Sequence, residues 1–589
     1  MTTQTDEKKT IQWRAFIHLL RQLAWPKWVT FFALLLTLIE TGVSLIIPLV
    51  TRDLVDTVSS TSISWSTLGL LIGVFLIQGI TGGVSFYLLT YIGETIVANL
   101  RKKLWHHILR LPVPYFDRHE SGETMSRVTQ DTATLKQLIA GHLVTFVSGL
   151  ISIIGSVILL LYIDWKMTLI LLIAVPVSLV IMMPLGRMMY KVSKAVQDEM
   201  ASFSGLLGRV LSEIRLVKAY SAEEKETLKG TSGIQSLFRF GLKEARIQAV
   251  ITPFMTFIMM ALLVVILGYG GIQVQSNQLS AGDLVAIIFY LFQIVVPFTQ
   301  MATFFTAFQK AVGATERIQE ILDVDIEKIS KREKIKWEQQ SLHFEQVDFH
   351  YENRKSILHN LSFDVPYGKT TAFVGPSGGG KTTIFSLVER FYSPSSGTIQ
   401  LGERDLSSFH LSAWRSGIGY VSQESPLMSG TIKENICYGI EREVDLETIR
   451  AAAKAANAAD FIENLEKGYE TEVGERGIRL SGGQRQRITI ARALILDPEL
   501  LLLDEATSNL DSSSEILVQE ALQRLMTGRT TLVIAHRLST VLHADQIIFI
   551  ENGHATGIGT HDELYATHEL YRQFAQGQSL LGQDPSSIS

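Results

Sequence analysis

With 589 residues, the chain is too long for one compact domain and favours two or three. Hydrophobic residues make up 47% of it and charged residues only 19%, which favours a membrane protein. A net charge of −5 indicates neither a nucleic-acid surface nor an acidic tail, and the single cysteine, Cys437, excludes an intrachain disulfide. Residues 1–28 are charged throughout and lack a small-residue cleavage site, so we expect no signal peptide there.

The first half contains six apolar runs that are long enough to cross a bilayer, which takes about 20 residues. Two long connections between these runs, 93–142 and 186–248, carry seven and eleven Lys or Arg residues, whereas each other connection carries one at most. The positive-inside bias therefore predicts that both long connections, and both ends of this half, lie in the cytoplasm. The six predicted spans are 29–50, 68–92, 143–163, 167–185, 250–270 and 284–305.

The two long connections keep a helical periodicity, so we predict that the membrane helices continue into the cytosol. The alternative is two cytosolic subdomains, but neither connection has the strand signals or apolar content for its own core. Each connection contains a candidate tip for contact with the second half of the chain, at 114–121 and around 212–222. Residues 11–23 are either an interfacial helix or a solvated leader.

One ionisable residue, Glu40, lies in the middle of the first predicted span. Because a carboxylate in the bilayer is costly, we expect it to face the interior of the helix bundle. Two interpretations remain open at this point. Glu40 either contacts a transported substrate or forms an interhelical hydrogen bond to a neighbouring Thr or Gln.

After a charged linker, strand and helix patterns alternate in the second half, which is typical of an α/β domain with a largely parallel sheet. The strand TTAFV runs into the glycine-rich loop GPSGGGKTT, and a helix follows. This strand–loop–helix context supports a phosphate-binding loop, in which backbone N–H groups and the helix N-terminus hold phosphates. Lys381 would bridge the β- and γ-phosphates, and the hydroxyl of Thr382 would bind Mg²⁺. The loop residues are Gly375, Pro376, Ser377, Gly378, Gly379, Gly380, Lys381, Thr382 and Thr383.

A second motif, LLLLDEATSNLD at 500–511, begins with a fully apolar strand. The strand would deliver Asp504 to the Mg²⁺ site. The next residue, Glu505, is placed to orient or deprotonate the water that attacks the γ-phosphorus.

The third motif, LSGGQ at 480–484, lies between the other two along the chain. Ser481, Gly482, Gly483 and Gln484 stand at the start of a predicted helix and offer a hydroxyl and unobstructed N–H groups. They predict a second phosphate-binding surface, although one domain does not need two.

Together the three motifs resemble the nucleotide-binding domain of ABC ATPases. From about residue 13 to residue 576, the chain resembles bacterial multidrug ABC exporters of the half-transporter type, with RHESGETMSR at 118–127 and TEVGERG at 471–477. The resemblance implies a six-helix α transmembrane domain of the type IV exporter fold, fused to an α/β P-loop ATPase domain. It also implies a multi-pass protein of the plasma membrane with its ATPase domain in the cytoplasm.

The same resemblance implies roles for further residues. His536 would contact the γ-phosphate, Gln423 would reach Mg²⁺ and the attacking water, and Tyr351 would stack on adenine. In this family, the LSGGQ of one domain closes on ATP that is held by the phosphate loop of another. The chain would therefore act as a homodimer, with a heterodimer of related half-transporters left open.

The implied function is ATP-driven export of amphipathic, often cationic compounds by alternating access, with ATP and Mg²⁺ as cofactors. The expected partners are a second copy of the chain, membrane lipids and small amphipathic substrates, with no nucleic acid. The alternative is a lipid flippase of the same architecture, because substrate choice resides in the helices, where no comparable motif exists. The expected domains are an N-terminal segment 1–28, a transmembrane domain 29–312, a linker 313–340, a nucleotide-binding domain 341–578 and a tail 579–589.

Overall fold

The computed structural model of the protein describes residues 18, 25–60, 65–328, 335, 337, 339–351, 355–440, 442–504, 511–535 and 537–581. Of these, the side chains of residues 59, 60, 171, 174–182, 299, 302, 512, 539 and 578–581 are not described. The chain divides into two compact units: an N-terminal unit within Met1–His106 and Gly122–Asp323, and a C-terminal unit within His107–Ser121 and Val324–Ser589. The predicted helix at 11–23, apart from His18, lies outside the described residues.

Long helices build the N-terminal unit. They are α1 (Lys27–Ser60), α2 (Trp65–Ile108), α4 (Ser121–Ile163), α5 (Trp165–Ser212), the short α6 (Ile214–Ala219), α7 (Glu223–Gln275) and α8 (Ala281–Leu322). Five of them, α1, α2, α4, α7 and α8, are long and apolar enough to cross a membrane. The remaining predicted span, 167–185, lies in α5, where part of the side chains is outside the description.

The sequence predicts that the membrane helices continue beyond their apolar spans, and the structure has helices of that length. For example, α7 has 53 residues, far more than the roughly 20 that span a bilayer. The tip predicted around 212–222 forms α6, and the tip predicted at 114–121 forms the short helix α3 (Val113–Arg118). The last helix continues to Leu322, so the first residues of the segment that we predict as a linker are helical.

The core of the N-terminal unit forms where α8 packs against α1 and α4. Tyr290 is fully buried and donates a hydrogen bond from its hydroxyl to the carbonyl of Leu45 at 2.8 Å. One turn later, the amide nitrogen of Gln293 donates to the carbonyl of Ser44 at 2.7 Å. Because these bonds end on backbone carbonyls, α8 is fixed against the middle of α1 by polar contacts as well as by packing.

Two sheets build the C-terminal unit. A four-stranded antiparallel sheet has the order β2-β1-β4-β5, and a six-stranded sheet has the order β10-β9-β3-β8-β7-β6, in which only β10 pairs antiparallel. The strands are β1 (Leu342–Phe349), β2 (Leu358–Val365), β3 (Thr370–Val374), β4 (Ser396–Leu401), β5 (Arg404–Asp405), β6 (Ile418–Val421), β7 (Leu500–Asp504), β8 (Thr530–Ile534), β9 (Gln546–Glu551) and β10 (His554–Gly559).

Helices cover the six-stranded sheet, and buried apolar side chains fill the space between them. Apart from the half-buried Asp504, strands β7 and β8 are buried along their whole length, as expected for parallel strands inside a layered α/β domain. The helices are α9 (Lys381–Val388), α10 (Leu411–Ser416), α11 (Ile432–Ile436), α12 (Leu446–Ala455), α13 (Ala459–Glu463), α14 (Gly482–Leu496), α15 (Ser512–Met526), α16 (Leu538–Leu542), α17 (His561–Thr567) and α18 (Glu569–Leu581).

Candidate ATP site

The candidate site lies at the carboxyl edge of the parallel strands. The strands β3, β6, β7 and β8 pair in parallel, so their carboxyl ends meet at one edge of the sheet. The phosphate loop follows β3, Gln423 follows β6, and Asp504 ends β7. Glu505 and His536, which follow β7 and β8 in the sequence, lie outside the described residues.

Two positions of the phosphate loop require glycine, because each combines a positive φ with a close approach to a neighbouring strand. Gly375 has φ +145°, and a Cβ there would lie 2.0 Å from the carbonyl oxygen of Ile550 on β9. Gly380 has φ +101°, and a Cβ there would lie 2.5 Å from Leu358. The loop therefore passes too close to neighbouring strands for any other residue, which brings its N–H groups to the start of α9.

Lys381 is the first residue of α9, and its side chain folds back over the loop. Its Nζ donates to the carbonyl of Gly375 at 2.8 Å and to that of Pro376 at 2.9 Å. These contacts hold the ammonium group over the concave side of the loop, where phosphate oxygens would take the place of the carbonyls.

A cavity of about 320 Å³ opens beside this loop. Its polar lining consists of hydroxyl groups, the backbone of the glycine turn and the ammonium of Lys381. Its apolar lining comes from Ile534 at the end of β8 and from Ile357, which directly precedes β2. This mixture suits a ligand with a charged end and a flat apolar part. The lining residues are Ile357, Ser377, Gly378, Gly380, Lys381, Thr382, Thr383 and Ile534.

Tyr351 lies just past β1 on the same side of the domain. Its hydroxyl is 3.4 Å from the hydroxyl of Thr383, the third residue of α9. Its ring meets the ring of Tyr392 edge to face, with centroids 4.9 Å apart. The contact with Thr383 places Tyr351 within reach of the phosphate loop, and its stacking on adenine stays a prediction.

Two side chains near Asp504 were not found from the sequence. Burial raises the pKa of Glu389 to about 7, Arg415 opposes that rise, and the charge of Asp504 adds to it. Burial, with the charges of Asp504 and Glu389, also raises the pKa of Tyr420. The carboxyl edge therefore holds, beside Asp504, an acid that keeps its proton to a higher pH than an ordinary glutamate. The only signal in the sequence is an acid that directly follows the helix KTTIFSLV.

The LSGGQ residues form the exposed start of α14. The hydroxyl of Ser481 accepts from the N–H of Gln484 at 3.3 Å, and the side chain of Gln484 accepts from the N–H of Ser481 at 2.9 Å. This capping box holds the helix start rigid and leaves the N–H groups of Gly482 and Gly483 at the positive end of the helix dipole. Among the described residues that line the cavity, none comes from LSGGQ, so the motif forms a separate surface.

Both halves of the chain match known protein families. Residues 30–298 match the family model of the ABC transporter transmembrane region, and residues 358–508 match that of the ABC transporter. A multidrug resistance ABC transporter ATP-binding and permease protein of Lactococcus lactis subsp. cremoris is 40% identical over 569 residues, which cover 96% of each chain. An ATP-dependent lipid A-core flippase of Pectobacterium atrosepticum is 36% identical over 508 residues, 86% of this chain and 87% of that one.

A solved structure agrees with these relatives. The structure of a bacterial Atm1-family ABC exporter with ATP bound has a TM-score of 0.80 and 25% sequence identity, and the match covers 95% of this chain and 99% of that one. The resemblance inferred from the motifs is thus confirmed, as is the fold of a six-helix transmembrane domain fused to an α/β ATPase domain. The chain belongs to the ABC transporter family, as a multi-pass membrane protein of the half-transporter type that binds and hydrolyses ATP.

Proposed function

We propose that this chain exports amphipathic, often cationic compounds from the inner leaflet of the plasma membrane, driven by ATP hydrolysis in a homodimer. The observation that carries the cargo class is Glu40, an acid in the apolar first helix. Relatives of both kinds, multidrug transporters and lipid A-core flippases, share the architecture, so the proposal depends on this feature of the membrane helices.

Glu40 lies where α1 approaches α2. Gly82 of α2 faces it: a Cβ added to Gly82 would lie 2.9 Å from Oε1 of Glu40. The Glu40 carboxylate therefore lies against the backbone of α2. The Thr residues beside it are engaged elsewhere, since Thr37 bonds Ser85 at 2.7 Å and Thr41 donates to the carbonyl of Thr37 at 2.8 Å. Among the described residues, none forms a hydrogen bond or ion pair with the Glu40 carboxylate. This favours a role toward cargo over the interhelical hydrogen bond.

Exposed aromatic and flexible side chains on α7 and α8 support an amphipathic cargo. Such side chains can repack around ligands of different shape. In the membrane-spanning parts, those exposed in the single chain include Phe257, Met260, Phe289, Phe292 and Phe298. We expect them to line a cavity between the helices of two copies, together with Glu40.

The oxygen donors at the carboxyl edge fit Mg²⁺. A carboxylate at Asp504, a hydroxyl at Thr382 and an amide at Gln423 are the hard ligands that this ion prefers, and it keeps waters and phosphate oxygens besides. Bound there, the ion would offset the charge on the β- and γ-phosphates.

The homodimer is supported by surfaces that one copy leaves uncovered. LSGGQ is separate from the cavity beside Lys381, so a second copy is needed to bring the two together. In addition, the predicted cytosolic parts of α5, α6 and α7 expose large apolar side chains to water in the single chain. These include Leu207, Leu211, Leu216, Leu228, Ile234 and Phe238.

In the proposed cycle, two ATP molecules fill the composite sites and hold the two ATPase domains together. Closure draws the cytosolic ends of the helices together and opens the cavity outward, and hydrolysis with release of phosphate resets it. We propose that Glu505 orients the attacking water and that Lys381 and His536 contact the γ-phosphate.

The test is transport by the purified protein in liposomes. Glu40→Gln should reduce uptake of cationic dyes such as ethidium more than uptake of neutral amphipathic dyes, because the amide keeps the shape and loses the charge. Glu94→Gln is the matched control, since Glu94 is an acid of α2 that is ion-paired with Lys136. Equal loss for both dye classes, or no loss, would contradict the cargo proposal. Flipping of labelled lipid without dye transport would favour the flippase.

A further inference from the structure

Arg415 in α10 joins parts of the C-terminal unit that are distant in sequence. Its guanidinium forms a bidentate ion pair with Glu327, with Nη1 and Oε2 2.8 Å apart and Nη2 and Oε1 2.9 Å apart. The same group donates from Nε to the carbonyl of Glu389 and from Nη2 to the carbonyl of Arg390, both at 3.0 Å. The Glu327 side chain is only 15% exposed, so water screens the pair weakly.

Glu327 connects this ion pair to places where the chain passes between the two units. It follows the end of α8 by five residues, and its N–H donates to the carbonyl of Arg110 at 2.7 Å. Arg110 in turn lies two residues after α2 and three before α3. The hydrogen bond between Glu327 and Arg110 therefore joins the segment after α8 to the segment after α2. The ion pair of Glu327 joins both segments to Arg415.

The other side of Arg415 faces the end of the phosphate-loop helix. Glu389 and Arg390, whose carbonyls it holds, directly follow α9, the helix that begins at Lys381. A helix of eight residues with a buried apolar face is stiff, so a displacement at its start reappears at its end. Two residues further on, the hydroxyl of Tyr392 donates to the carboxylate of Asp117 in α3. This contact also links the residues after α9 to the segment after α2.

We propose that the ion pair of Arg415 and Glu327 is a positioning pair that transmits nucleotide-dependent movement of α9 to the membrane helices α2 and α8. The pair is not part of the ATP site, because neither side chain lines the cavity or stands among the phosphate, Mg²⁺ or signature residues. Loss of the ion pair should therefore leave ATP hydrolysis nearly unchanged and reduce the movement of the membrane helices.

The fold of α10 does not depend on Glu327. Trp414 is fully buried, its indole N–H donates to the carbonyl of Val388 at 2.6 Å, and its ring stacks on Trp337 with centroids 5.0 Å apart. With Glu327 shortened, Arg415 keeps its bonds to the two carbonyls. Glu327→Ala thus removes the ion pair that connects Arg415 to the segments after α2 and α8. The anchoring of α10 and the contact of Tyr392 with Asp117 stay in place.

The experiment uses the full-length protein in liposomes with Cys437→Ser and a fluorophore on Asp53→Cys, an exposed position of α1. The fluorescence change on adding ATP, Mg²⁺ and vanadate reports movement of the membrane helices without any cargo. For Glu327→Ala we expect ATP hydrolysis within about twofold of the parent. The fluorescence change should fall by about fivefold or more. Glu327→Asp keeps a carboxylate and should retain most of the change.

The matched control is Asp325→Ala, which removes an exposed acid from the same segment and should leave both hydrolysis and fluorescence change as in the parent. A full fluorescence change in Glu327→Ala would overturn the proposal. Loss of hydrolysis together with the fluorescence change would overturn it as well, since the pair would then support the ATP site itself. Because no dye is transported in this assay, the outcome is independent of the proposed cargo.

Discussion

Arg317 on α8 donates two hydrogen bonds to the carboxylate of Asp131 on α4, from Nε at 2.8 Å and from Nη2 at 2.6 Å. Asp131 is only 5% exposed and lies in a π-helical turn, Arg127–Asp131. Arg127 in the same turn donates to the carbonyl of Arg317 at 3.1 Å and pairs with Glu320 at 3.1 Å. The wider turn thus presents both charged side chains toward α8, and the two helices are clamped beyond their apolar spans.

This clamp predicts a rescue by charge exchange. Asp131→Arg should lower the stability of the detergent-solubilised protein, because it places two cations together at a buried position. Adding Arg317→Asp should recover much of the loss, with a coupling energy of about 1–3 kcal/mol. The measurement is the temperature at which half of the protein remains monodisperse after heating.

The exposed pair of Lys136 and Glu94 provides the control for this prediction. Lys136→Glu should shift the same temperature little, since exposed ion pairs contribute less than about 1 kcal/mol. Additive effects of Asp131→Arg and Arg317→Asp would show that the two residues do not interact energetically.

Glu389 predicts an unusual pH dependence of stability. Burial raises its pKa from 4.5 to about 7, so the folded protein binds a proton that the unfolded chain releases above pH 4.5. The contribution of this group to stability is greatest below pH 4.5, falls as the pH rises from 4.5 to 7, and amounts to about 3 kcal/mol in total. Glu389→Gln should therefore be more stable than the parent at pH 8 and nearly equal to it at pH 5. Urea unfolding of the nucleotide-free protein at both pH values is the measurement.

Tryptophan fluorescence is a suitable signal for this experiment, because Trp414 is bonded to the carbonyl of Val388, the residue before Glu389. Glu424→Gln, a change at an exposed acid of the same domain, is the control and should leave the pH dependence unchanged. Parallel pH profiles for Glu389→Gln and the parent would show that Glu389 is ionised in the folded protein.

The sequence predicts those parts of the structure that depend on local pattern. The apolar runs, the strand before Gly375 and the helix starts at Lys381 and Gly482 all follow from periodicity or from short motifs, and the structure has them at these positions. Even α3 and α6 appear where the long connections carry their predicted tips.

Pairings between residues that are distant along the chain could not be predicted from the sequence. Asp131 and Arg317 are separated by 186 positions, and Glu327 and Arg415 by 88. The chain holds 53 Lys or Arg and 58 Asp or Glu residues, so no pattern selects these partners without the packing of the helices. The raised pKa of Glu389 is likewise a result of burial, which the letter E at the end of a helix does not reveal.

Two variants should distinguish loss of ATP hydrolysis from loss of ATP binding. Glu505→Gln should bind ATP and remain closed with turnover reduced by about 100-fold or more, because the amide cannot accept the proton of the attacking water. Lys381→Ala should instead lose ATP binding, since the ammonium held over the carbonyls of Gly375 and Pro376 is absent. Trapping of radiolabelled ATP and steady-state phosphate release distinguish the two. Near-parental turnover in Glu505→Gln would refute its assigned role.

The composite site predicts complementation between two inactive chains. Ser481→Arg places a bulky cation at the exposed start of α14, and Lys381→Ala disables the phosphate loop, so each homodimer should be inactive. A mixed dimer contains one intact loop facing one intact LSGGQ and one site with both defects. We expect purified mixed dimers, isolated with two different affinity tags, to recover up to about half of the parental ATPase activity. If both motifs had to act within one chain, mixed dimers would stay inactive, and the head-to-tail arrangement would be wrong.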